Sequence, residues 1–430
     1  MKEGKKKLII LMVSAALCIF VWTGCGSQKE SVEDHEISGH SFGEWETSEA
    51  ACSQAGNKTR SCEVCGKEES VELPARGHAA DETGAHCKRC GVDFPYAFVL
   101  DDLGTEVETH TDLQLQYLTG DSSAVLDYVQ GTEELSAPRP VRLSWEATGA
   151  GQVNYTVQLS LSEDFSDSVS YAAQDTQLDI VNLYIASDYY WRVQITDEAG
   201  EIYSSPVSTF STTDVAPRVM YVDGVSNVRD MGGWVNEDGR RIRQGMMYRS
   251  GQLNMNKGKS IEDTITEDGI NTMIDELGIR TELDLRSGTG KIKSSPLPGA
   301  FYVHYPMKLA VTFITDYAED ICEIFHLLAD RDNYPVDMHC VIGTDRTGAM
   351  AYLIHGLLGM TEEDLERDYL FSNFANIGGG RTMDNISRGY VSFVNEYDGD
   401  TQSERIYNCL VDIGVAAEDL DAVRMLMIEE

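Results

Sequence analysis

Basic residues are scarce in this chain. Its 430 residues contain 34 Lys and Arg against 71 Asp and Glu, which gives a formal net charge of −37. Residues 216–430 alone carry 20 basic and 36 acidic residues. Phosphate backbones and anionic bilayers repel such a surface, so general nucleic-acid binding and membrane adhesion through surface charge are excluded.

Long apolar runs and widely spread cysteines are also missing. After the first 22 residues no stretch reaches 18 apolar residues, so no later membrane span is expected. Five of the ten cysteines lie between Cys52 and Cys90, which excludes a disulfide framework along the whole chain. At roughly 150 residues per domain, the length predicts two or three domains.

The N-terminus has the pattern of an export signal. Lysines precede an apolar run of 15 residues at 8–22, which is short for a membrane span. Thr23-Gly24-Cys25 and a polar stretch follow. This resembles a bacterial lipobox, which implies cleavage after residue 24 and lipid attachment to the Cys25 thiol. An uncleaved membrane anchor is the alternative.

These features predict the location of the chain. We expect a lipoprotein signal peptide at 1–24 and a linker at 25–38. The rest of the protein would then lie outside the cytoplasm, tethered to the cell membrane at a Gram-positive-type surface.

A cysteine-rich segment at 39–94 predicts a small zinc-ribbon-like unit. Cys62-x2-Cys65 and Cys87-x2-Cys90 each place two thiols on one side of a tight loop. Two such knuckles facing each other would form a four-sulfur site of the kind that holds structural zinc. Two disulfides in an exported protein are the alternative.

The same segment contains a weak internal repeat. Gly39-His40 begins a stretch that ends in the first Cys pair, and Gly77-His78 begins a shorter one that ends in the second. It resembles the Gly-His/Cys-x-x-Cys repeats of Gram-positive surface proteins. The resemblance implies that each repeat could use its own His, with Cys52 as an extra ligand in the first. Four protein ligands leave no open metal position, so no catalysis is expected here.

Residues 110–215 predict an all-β sandwich. Apolar side chains alternate with polar ones at 141–145, 155–159 and 189–195, which is typical of half-buried strands. Residues 190–200 resemble the late strand and hairpin of a fibronectin type III domain. The resemblance implies a spacer or a binding module, and cell-wall or surface proteins are the expected partners. Residues 95–135 fit no clear pattern and would form either a first strand or a linker.

The residues that indicate a catalytic site lie at 216–430, where apolar strands alternate with helices. A strand at 336–338 runs into the loop His339-Cys340-Val-Ile-Gly-Thr-Asp-Arg-Thr-Gly, and a helical run begins at 349. This order places the loop at the carboxyl edge of a sheet and at a helix N-terminus. Backbone N–H groups collect there around one point and favour an anion.

Cys340-x5-Arg346 has the spacing of a nucleophile inside a phosphate cradle. The intervening amides would surround the phosphate oxygens, and the guanidinium would close the ring with paired hydrogen bonds. The same positive field would lower the thiol pKa, and Thr347 could assist the departure of the sulfur. The residues expected to hold the phosphate are Val341, Ile342, Gly343, Thr344, Thr347 and Gly348.

This segment resembles the atypical bacterial branch of the cysteine-dependent protein-tyrosine and dual-specificity phosphatases. The stretches NVRDMGG at 227–233, MYRSG at 247–251, DLRS at 284–287 and DYLFSN at 368–373 agree with it. The resemblance implies an α/β phosphatase domain at 216–430 with a mainly parallel sheet flanked by helices, and no metal in catalysis. The branch usually has Lys at the position of Thr344. That Lys is associated with phosphoinositide activity, so lipid headgroups are the weaker expectation.

The leaving oxygen must be protonated, so an acid is needed. The resemblance points to Asp345 on the loop itself. Asp284 at the neighbouring strand end is the alternative, and its other role would be a salt bridge to Arg286. Asp316 and Asp320 lie in the segment that replaces the usual acid loop, and they stay open as further candidates.

Two classes of function follow. The first is an exported phosphatase that hydrolyses phosphotyrosine in proteins or peptides, and phosphoserine or phosphothreonine as well, through a covalent intermediate on Cys340. The second is a surface binding protein whose phosphatase fold only recognises anions. A phosphoinositide phosphatase is a further alternative. The intact Cys340, Arg346 and Thr347 favour the first class.

Overall fold

The computed structural model describes residues 40–149, 153–254, 265–288 and 293–430. The predicted export signal, the whole predicted linker and Cys25 lie outside the described residues. The strands are β1 (Glu46–Ser48), β2 (Gly56–Ser61), β3 (Glu68–Leu73), β4 (His78–Ala79), β5 (Ala97–Leu100), β6 (Glu106–Val107), β7 (Val141–Thr148), β8 (Tyr155–Ser160), β9 (Val169–Ala173), β10 (Gln177–Ile180), β11 (Asp188–Thr196), β12 (Ile202–Ser204), β13 (Ser208–Thr212), β14 (Arg229–Asp230), β15 (Met247–Ser250), β16 (Thr281–Arg286), β17 (Phe301–Met307) and β18 (Val336–His339). The α-helices are α1 (Asp112–Leu118), α2 (Val125–Tyr128), α3 (Glu267–Asn271), α4 (Phe313–Asp316), α5 (Ala318–Leu328), α6 (Asp345–Leu357), α7 (Glu362–Phe371), α8 (Asp384–Ile386), α9 (Ser392–Val394), α10 (Gln402–Asp412) and α11 (Ala417–Met427).

The described chain forms two compact units. The first consists of the described residues up to Gly104 together with Arg142–Leu178 and Asp188–Phe210. The second consists of Thr105–Val141, Asp179–Ser187 and Ser211–Glu430. None of the helices in the described ranges is long and apolar enough to span a membrane.

The first unit begins with the cysteine-rich segment. Strands β1, β2 and β3 form an antiparallel sheet, and most of their residues are exposed or half-buried. Two tight turns follow the same backbone pattern. The amide of Gly66 donates to the Cys62 carbonyl at 2.9 Å, and that of Gly91 donates to the Cys87 carbonyl at 2.8 Å. Both glycines have positive φ, +70° and +74°, which L-residues rarely adopt. The weak sequence repeat therefore corresponds to a repeated knuckle.

The rest of the first unit contains the predicted β-rich region. One sheet has the order β10-β7-β5, and antiparallel strands β8, β9, β11 and β12 belong to another. In β11 buried residues alternate with half-buried ones, and exposed residues stand at both ends of the strand, in the period of two that the sequence predicts. The Trp145 and Tyr155 rings, one from each sheet, lie 5.4 Å apart and pack edge to face. The strand at 97–100 is the first strand that the sequence left open, and it pairs with β7.

Residues 110–140 differ from the strands expected there. They form α1 and α2, which belong to the second unit. Thr111 and Gln114 make a reciprocal capping box at the start of α1. Tyr117 is fully buried, and its hydroxyl donates to the Arg367 carbonyl at 3.1 Å. The second unit therefore includes residues that precede the predicted start at 216.

A five-stranded sheet organises the second unit. Its order is β14-β15-β18-β16-β17, and only β14 runs antiparallel to its neighbour. Every residue of β16 and β18 is buried, as expected for central parallel strands that are covered on both faces. Eleven of the 13 residues of α6 are buried as well. The carboxyl end of β18 and the N-terminus of α6 thus meet deep inside the unit.

Candidate active site

The predicted nucleophile lies where β18 ends. The strand stops at His339, and α6 begins at Asp345, so Cys340 starts the connecting loop. Its side chain is fully buried, whereas Val341, Ile342 and Arg346 are half-buried. The loop therefore holds the thiol at its base, with half-buried residues on both sides of its buried middle.

Hydrogen bonds from residues outside the loop hold three of its backbone carbonyl groups. Asn227 Nδ2 donates to the Ile342 carbonyl at 2.9 Å, and an Arg249 Nη donates to the Gly343 carbonyl at 2.9 Å. The amide of Gln252 donates to the Val341 carbonyl at 3.1 Å. With three successive carbonyls engaged this way, the loop amides stay available for an anion on the other side.

Gly343 makes the close approach of this loop possible. Its φ is +69°, and an added Cβ would lie 2.5 Å from the Ser250 carbonyl oxygen. Because that neighbour is backbone, it cannot move aside as a flexible side chain could. The glycine expected from the motif is required by both the backbone conformation and the packing.

The Cys340 thiol is tuned towards its ionised form. Burial alone would raise its pKa, but the Arg346 guanidinium, the hydroxyl and amide of Thr347 and the amide of Ile342 together lower it. The Thr347 hydroxyl is buried and has no hydrogen bond of ordinary geometry within the described residues, so it is placed to turn towards the sulfur. A thiolate is the nucleophilic form of cysteine.

His339 carries a positive charge directly behind the nucleophile. Its Nε2 donates to a Glu282 carboxylate oxygen at 2.9 Å, and its Nδ1 faces the Cys340 carbonyl at 3.2 Å. Both ring nitrogens thus face oxygen acceptors, an arrangement that suits the doubly protonated ring. Burial alone would lower the pKa of His339, but Glu282 and Asp284 raise it to about 9.

A second layer of buried charge supports the loop. Asp368 accepts from Arg229 at 2.8 Å and from Arg249 at 2.6 Å. Burial would raise the pKa of Asp368, but the two guanidiniums hold it well below its usual range. Arg229 also donates to Asn227 Oδ1 at 2.7 Å. The sequence motifs contained these residues without revealing their roles. The sequence signal that could have indicated their role is an Arg inside a short, buried strand, Arg229 in β14 and Arg249 in β15.

The carboxylates proposed as acids occupy different places. Asp345 lies at the start of α6, half-buried, and accepts from Arg381 at 3.0 and 3.3 Å. Asp284 is fully buried and holds Arg286 through two hydrogen bonds of 2.9 and 2.8 Å. Burial would raise the pKa of Asp284, but Arg286 and His339 lower it to about 2. Asp316 ends α4 and Asp320 lies in α5. No hydrogen bond within the described residues joins either to the loop.

Thr344 and Gly348, two of the residues expected to hold the phosphate, are both buried. Thr344 is fully buried, and its Oγ1 donates to the Ile342 carbonyl and accepts from Asn227. It therefore belongs to the packed underside of the loop. Gly348 packs against Tyr369, whose ring would lie 2.8 Å from an added Cβ.

The cysteine-rich segment does not bring its four CxxC thiols to one point. Cys62 and Cys65 lie with His40, while Cys87 and Cys90 lie with Cys52 and His78. The expectation of a single four-sulfur site is wrong, because each knuckle faces a different set of partners. Each Cys pair lies with the His of its own repeat, as the resemblance implies, but Cys52, expected as an extra ligand in the first repeat, lies with the second cluster. All five cysteines of the segment are free thiols, and the Sγ atoms of Cys52 and Cys87 lie 3.8 Å apart.

The comparisons with known proteins concern mainly the second unit. Residues 220–392 match the family model described as the tyrosine phosphatase family. A protein of Cupriavidus necator whose name provisionally describes a tyrosine-protein phosphatase is 29% identical over 185 residues. That alignment covers 36% of this chain and 63% of the relative, so less than two thirds of the relative is spanned.

Solved structures resemble parts of the chain weakly. TpbA of P. aeruginosa matches at 16% identity with a TM-score of 0.26, over 39% of this chain and 91% of that one. The catalytic core of a PP-IP phosphatase from S. cerevisiae matches at 16% identity with a TM-score of 0.27, over 42% and 90%. A human fibronectin type III domain matches at 19% identity with a TM-score of 0.16, over 17% and 73%.

Proposed function

We propose that the second unit hydrolyses phosphate monoesters through a phosphocysteine on Cys340, and that phosphotyrosine in proteins or peptides is its substrate. The observation that carries this proposal is the buried Cys340 thiol with a lowered pKa, at the base of a loop closed by Arg346. The match of residues 220–392 to the tyrosine phosphatase family supports it.

The chemistry takes two steps. The Cys340 thiolate attacks phosphorus, the bond from phosphorus to the ester oxygen breaks, and that oxygen leaves with a proton from Asp345. Water then attacks the phosphocysteine and gives one proton back to Asp345. Inorganic phosphate leaves, and the thiolate is restored. Arg346 and the loop amides stabilise the charge on the three non-bridging oxygens in both transition states.

The depth of the thiol favours phosphotyrosine. A fully buried nucleophile needs a phosphate on a long, rigid stem, and the phenyl ring reaches further than a serine side chain. The acidic surroundings, with 36 acidic against 20 basic residues over 216–430, disfavour headgroups that carry several phosphates. Export and lipid attachment at Cys25 would make the substrate an extracytoplasmic protein.

Substitution of the nucleophile tests the activity. In the full chain, Cys340→Ser should lose turnover of a phosphotyrosine peptide and keep phosphate binding, because Arg346 and the amides remain. Cys322→Ser, a change at a half-buried cysteine in α5, is the matched control and should keep the wild-type rate. More than about a tenth of the wild-type rate in Cys340→Ser would refute the assigned nucleophile.

A substrate panel tests the specificity. Phosphotyrosine peptide, phosphoserine peptide and a phosphoinositide are compared by kcat/KM on the same preparation. We expect the phosphotyrosine peptide to be fastest. Faster turnover of the phosphoinositide would overturn the substrate assignment and leave the Cys340 chemistry in place. Phosphate binding without turnover of any of the three would indicate an anion-recognition protein.

A further inference from the structure

Four potential metal ligands converge in the first unit, and they are not the four that the sequence pattern selects. The ligand atoms of Cys52, His78, Cys87 and Cys90 all lie within 4.8 Å of one another. Three of these side chains are buried and Cys90 is exposed. We propose that they form a closed zinc site with three sulfur ligands and one nitrogen ligand.

The distances between the ligands fit a tetrahedral ion. Zinc–sulfur bonds of about 2.3 Å imply a separation of about 3.8 Å between two sulfur atoms on a tetrahedron. The Sγ atoms of Cys52 and Cys87 lie 3.8 Å apart. The His78 Nδ1 and the Cys90 Sγ lie 3.3 Å apart, close to the shorter nitrogen–sulfur edge that such an ion requires. A disulfide would need two of the sulfurs at about 2 Å.

The His78 ring is already oriented for coordination. Its Nδ1 faces the sulfur cluster, and its Nε2 lies 3.4 Å from a Glu201 carboxylate oxygen and 3.1 Å from Ser53 Oγ. The ring also stacks on Tyr203 with a centroid distance of 5.0 Å. A carboxylate on the far nitrogen fixes the tautomer and ring orientation of a metal-bound His. The sequence pattern gives no sign of Glu201, which lies 123 residues further along.

This arrangement links the two sequence repeats. Cys52 belongs to the first repeat, whereas His78 begins the second repeat and Cys87 and Cys90 form its knuckle. The amide of Gly77, which precedes His78, donates to the Cys52 carbonyl at 2.9 Å and joins the start of the second repeat to the first. His78 lies in β4, which pairs with β12 of the larger sheet. One ion would therefore tie the second knuckle to the first repeat and to the β-rich part of the same unit.

The other cluster lacks this closure within the described residues. His40, Cys62 and Cys65 supply three ligand atoms, and two of these side chains are exposed. An ion there would keep an open coordination position and exchange more readily. We therefore expect one tightly held zinc per chain, at the site of Cys52, His78, Cys87 and Cys90.

Two substitutions separate this site from the four-sulfur alternative. The full chain and its variants are purified with zinc, passed over a moderate chelator, and assayed for bound zinc and free thiols. The wild type should retain one zinc, Cys52→Ser should lose it, and Cys62→Ser should retain it. Loss of zinc in Cys62→Ser with retention in Cys52→Ser would overturn the proposal. So would a wild type with no zinc and oxidised thiols.

Cobalt spectroscopy guards against a variant that only misfolds. Cobalt in the wild type should give the absorption of a tetrahedral ion with sulfur ligands. His78→Cys supplies a fourth sulfur and should keep the metal with stronger sulfur-to-metal charge-transfer absorption, whereas His78→Ala should lose it. An unchanged cobalt spectrum in both His78 variants would show that His78 is not a ligand and would refute the site.

Discussion

Two carboxylates near the phosphate loop have different partners and therefore different chemical roles. Asp345 is half-buried at the loop end and bonded to Arg381, while Asp284 is fully buried and paired with Arg286. A group whose pKa is held at about 2 cannot deliver a proton near neutral pH. We therefore propose Asp345 as the acid and a structural role for Asp284.

The dependence of rate on the leaving group separates these roles. Asp345→Asn should slow hydrolysis of phenyl phosphate by about 10²–10⁴-fold. Nitrophenyl phosphate should be affected far less, because its leaving group needs no proton. Equal losses on both substrates would refute the assignment of Asp345.

Asp284→Asn is the matched control for that experiment. It breaks a buried ion pair and should lower the free energy of unfolding by about 3–5 kcal/mol. The ratio of the two rates should stay at the wild-type value. A changed ratio would assign the proton to Asp284.

Asp337 is buried inside β18, and the pKa of its carboxyl group is raised. Its Oδ2 accepts from Ser250 at 3.0 Å, and its Oδ1 has no partner among the described residues. Burial raises its pKa to about 7. A neutral Asp337 leaves two anions, Glu282 and Asp284, opposite two cations, Arg286 and His339, so the buried cluster is balanced.

This protonation predicts a dependence of stability on pH. The unfolded chain releases the Asp337 proton near pH 4, while the folded protein keeps it up to about pH 7. The folded state binds more protons between these values, so this group lowers the free energy of unfolding as the pH rises, by up to about 4 kcal/mol. Asp337→Asn removes this term and keeps the hydrogen bond from Ser250.

Urea unfolding of the wild type and of Asp337→Asn at pH 5 and pH 8 measures the effect. The variant should gain stability relative to the wild type at the higher pH. The same difference between the two proteins at both pH values would show that Asp337 is ionised in the folded state at pH 5.

The loop between β18 and α6 depends on one glycine more than on the others. Gly343→Ala would place a methyl group 2.5 Å from a backbone oxygen, at a φ of +69°. We expect this variant to lose both phosphate binding and turnover, because the loop amides can no longer surround one point. Phosphate titration and steady-state rates measure the two effects.

Gly378→Ala is the control for backbone conformation alone. Its φ is +77°, and nothing lies within 4 Å of an added Cβ. It should cost about 1–2 kcal/mol of stability and leave the rate unchanged. Equal activity in both variants would show that the close approach of Gly343 to Ser250 does not matter for catalysis.

The strand–loop–helix element could be predicted from the sequence because its signals are local. The apolar strand, the spacing of Cys340 and Arg346 and the helical run are all written within about 20 residues. The environment of Thr344 could not be predicted. Its burial depends on Asn227, which lies more than 100 residues away. A Lys at this position would therefore have to leave the packed underside of the loop.

For the molecule as a whole, local sequence patterns identified the units more accurately than the residues at which each unit begins and ends. The contact of Tyr117 with Arg367 spans 250 residues and has no local signature, so the early helices looked like part of the β-rich region. The cysteine clusters likewise depend on contacts that the local sequence does not show. The repeat pattern predicts that His78 acts with the second Cys pair, but the contribution of Cys52 to that cluster depends on how the repeats fold onto each other.

The most direct test of the central claim is to trap the covalent intermediate. The full chain is mixed with a phosphotyrosine peptide, quenched within one turnover and digested, and the peptide that contains Cys340 is examined by mass spectrometry. Our account predicts a gain of one phosphoryl group on Cys340 in the wild type, and none in Cys340→Ser. Peptide turnover by the wild type with no phosphoryl group on Cys340 at any quench time, or with the group on another residue, would contradict it.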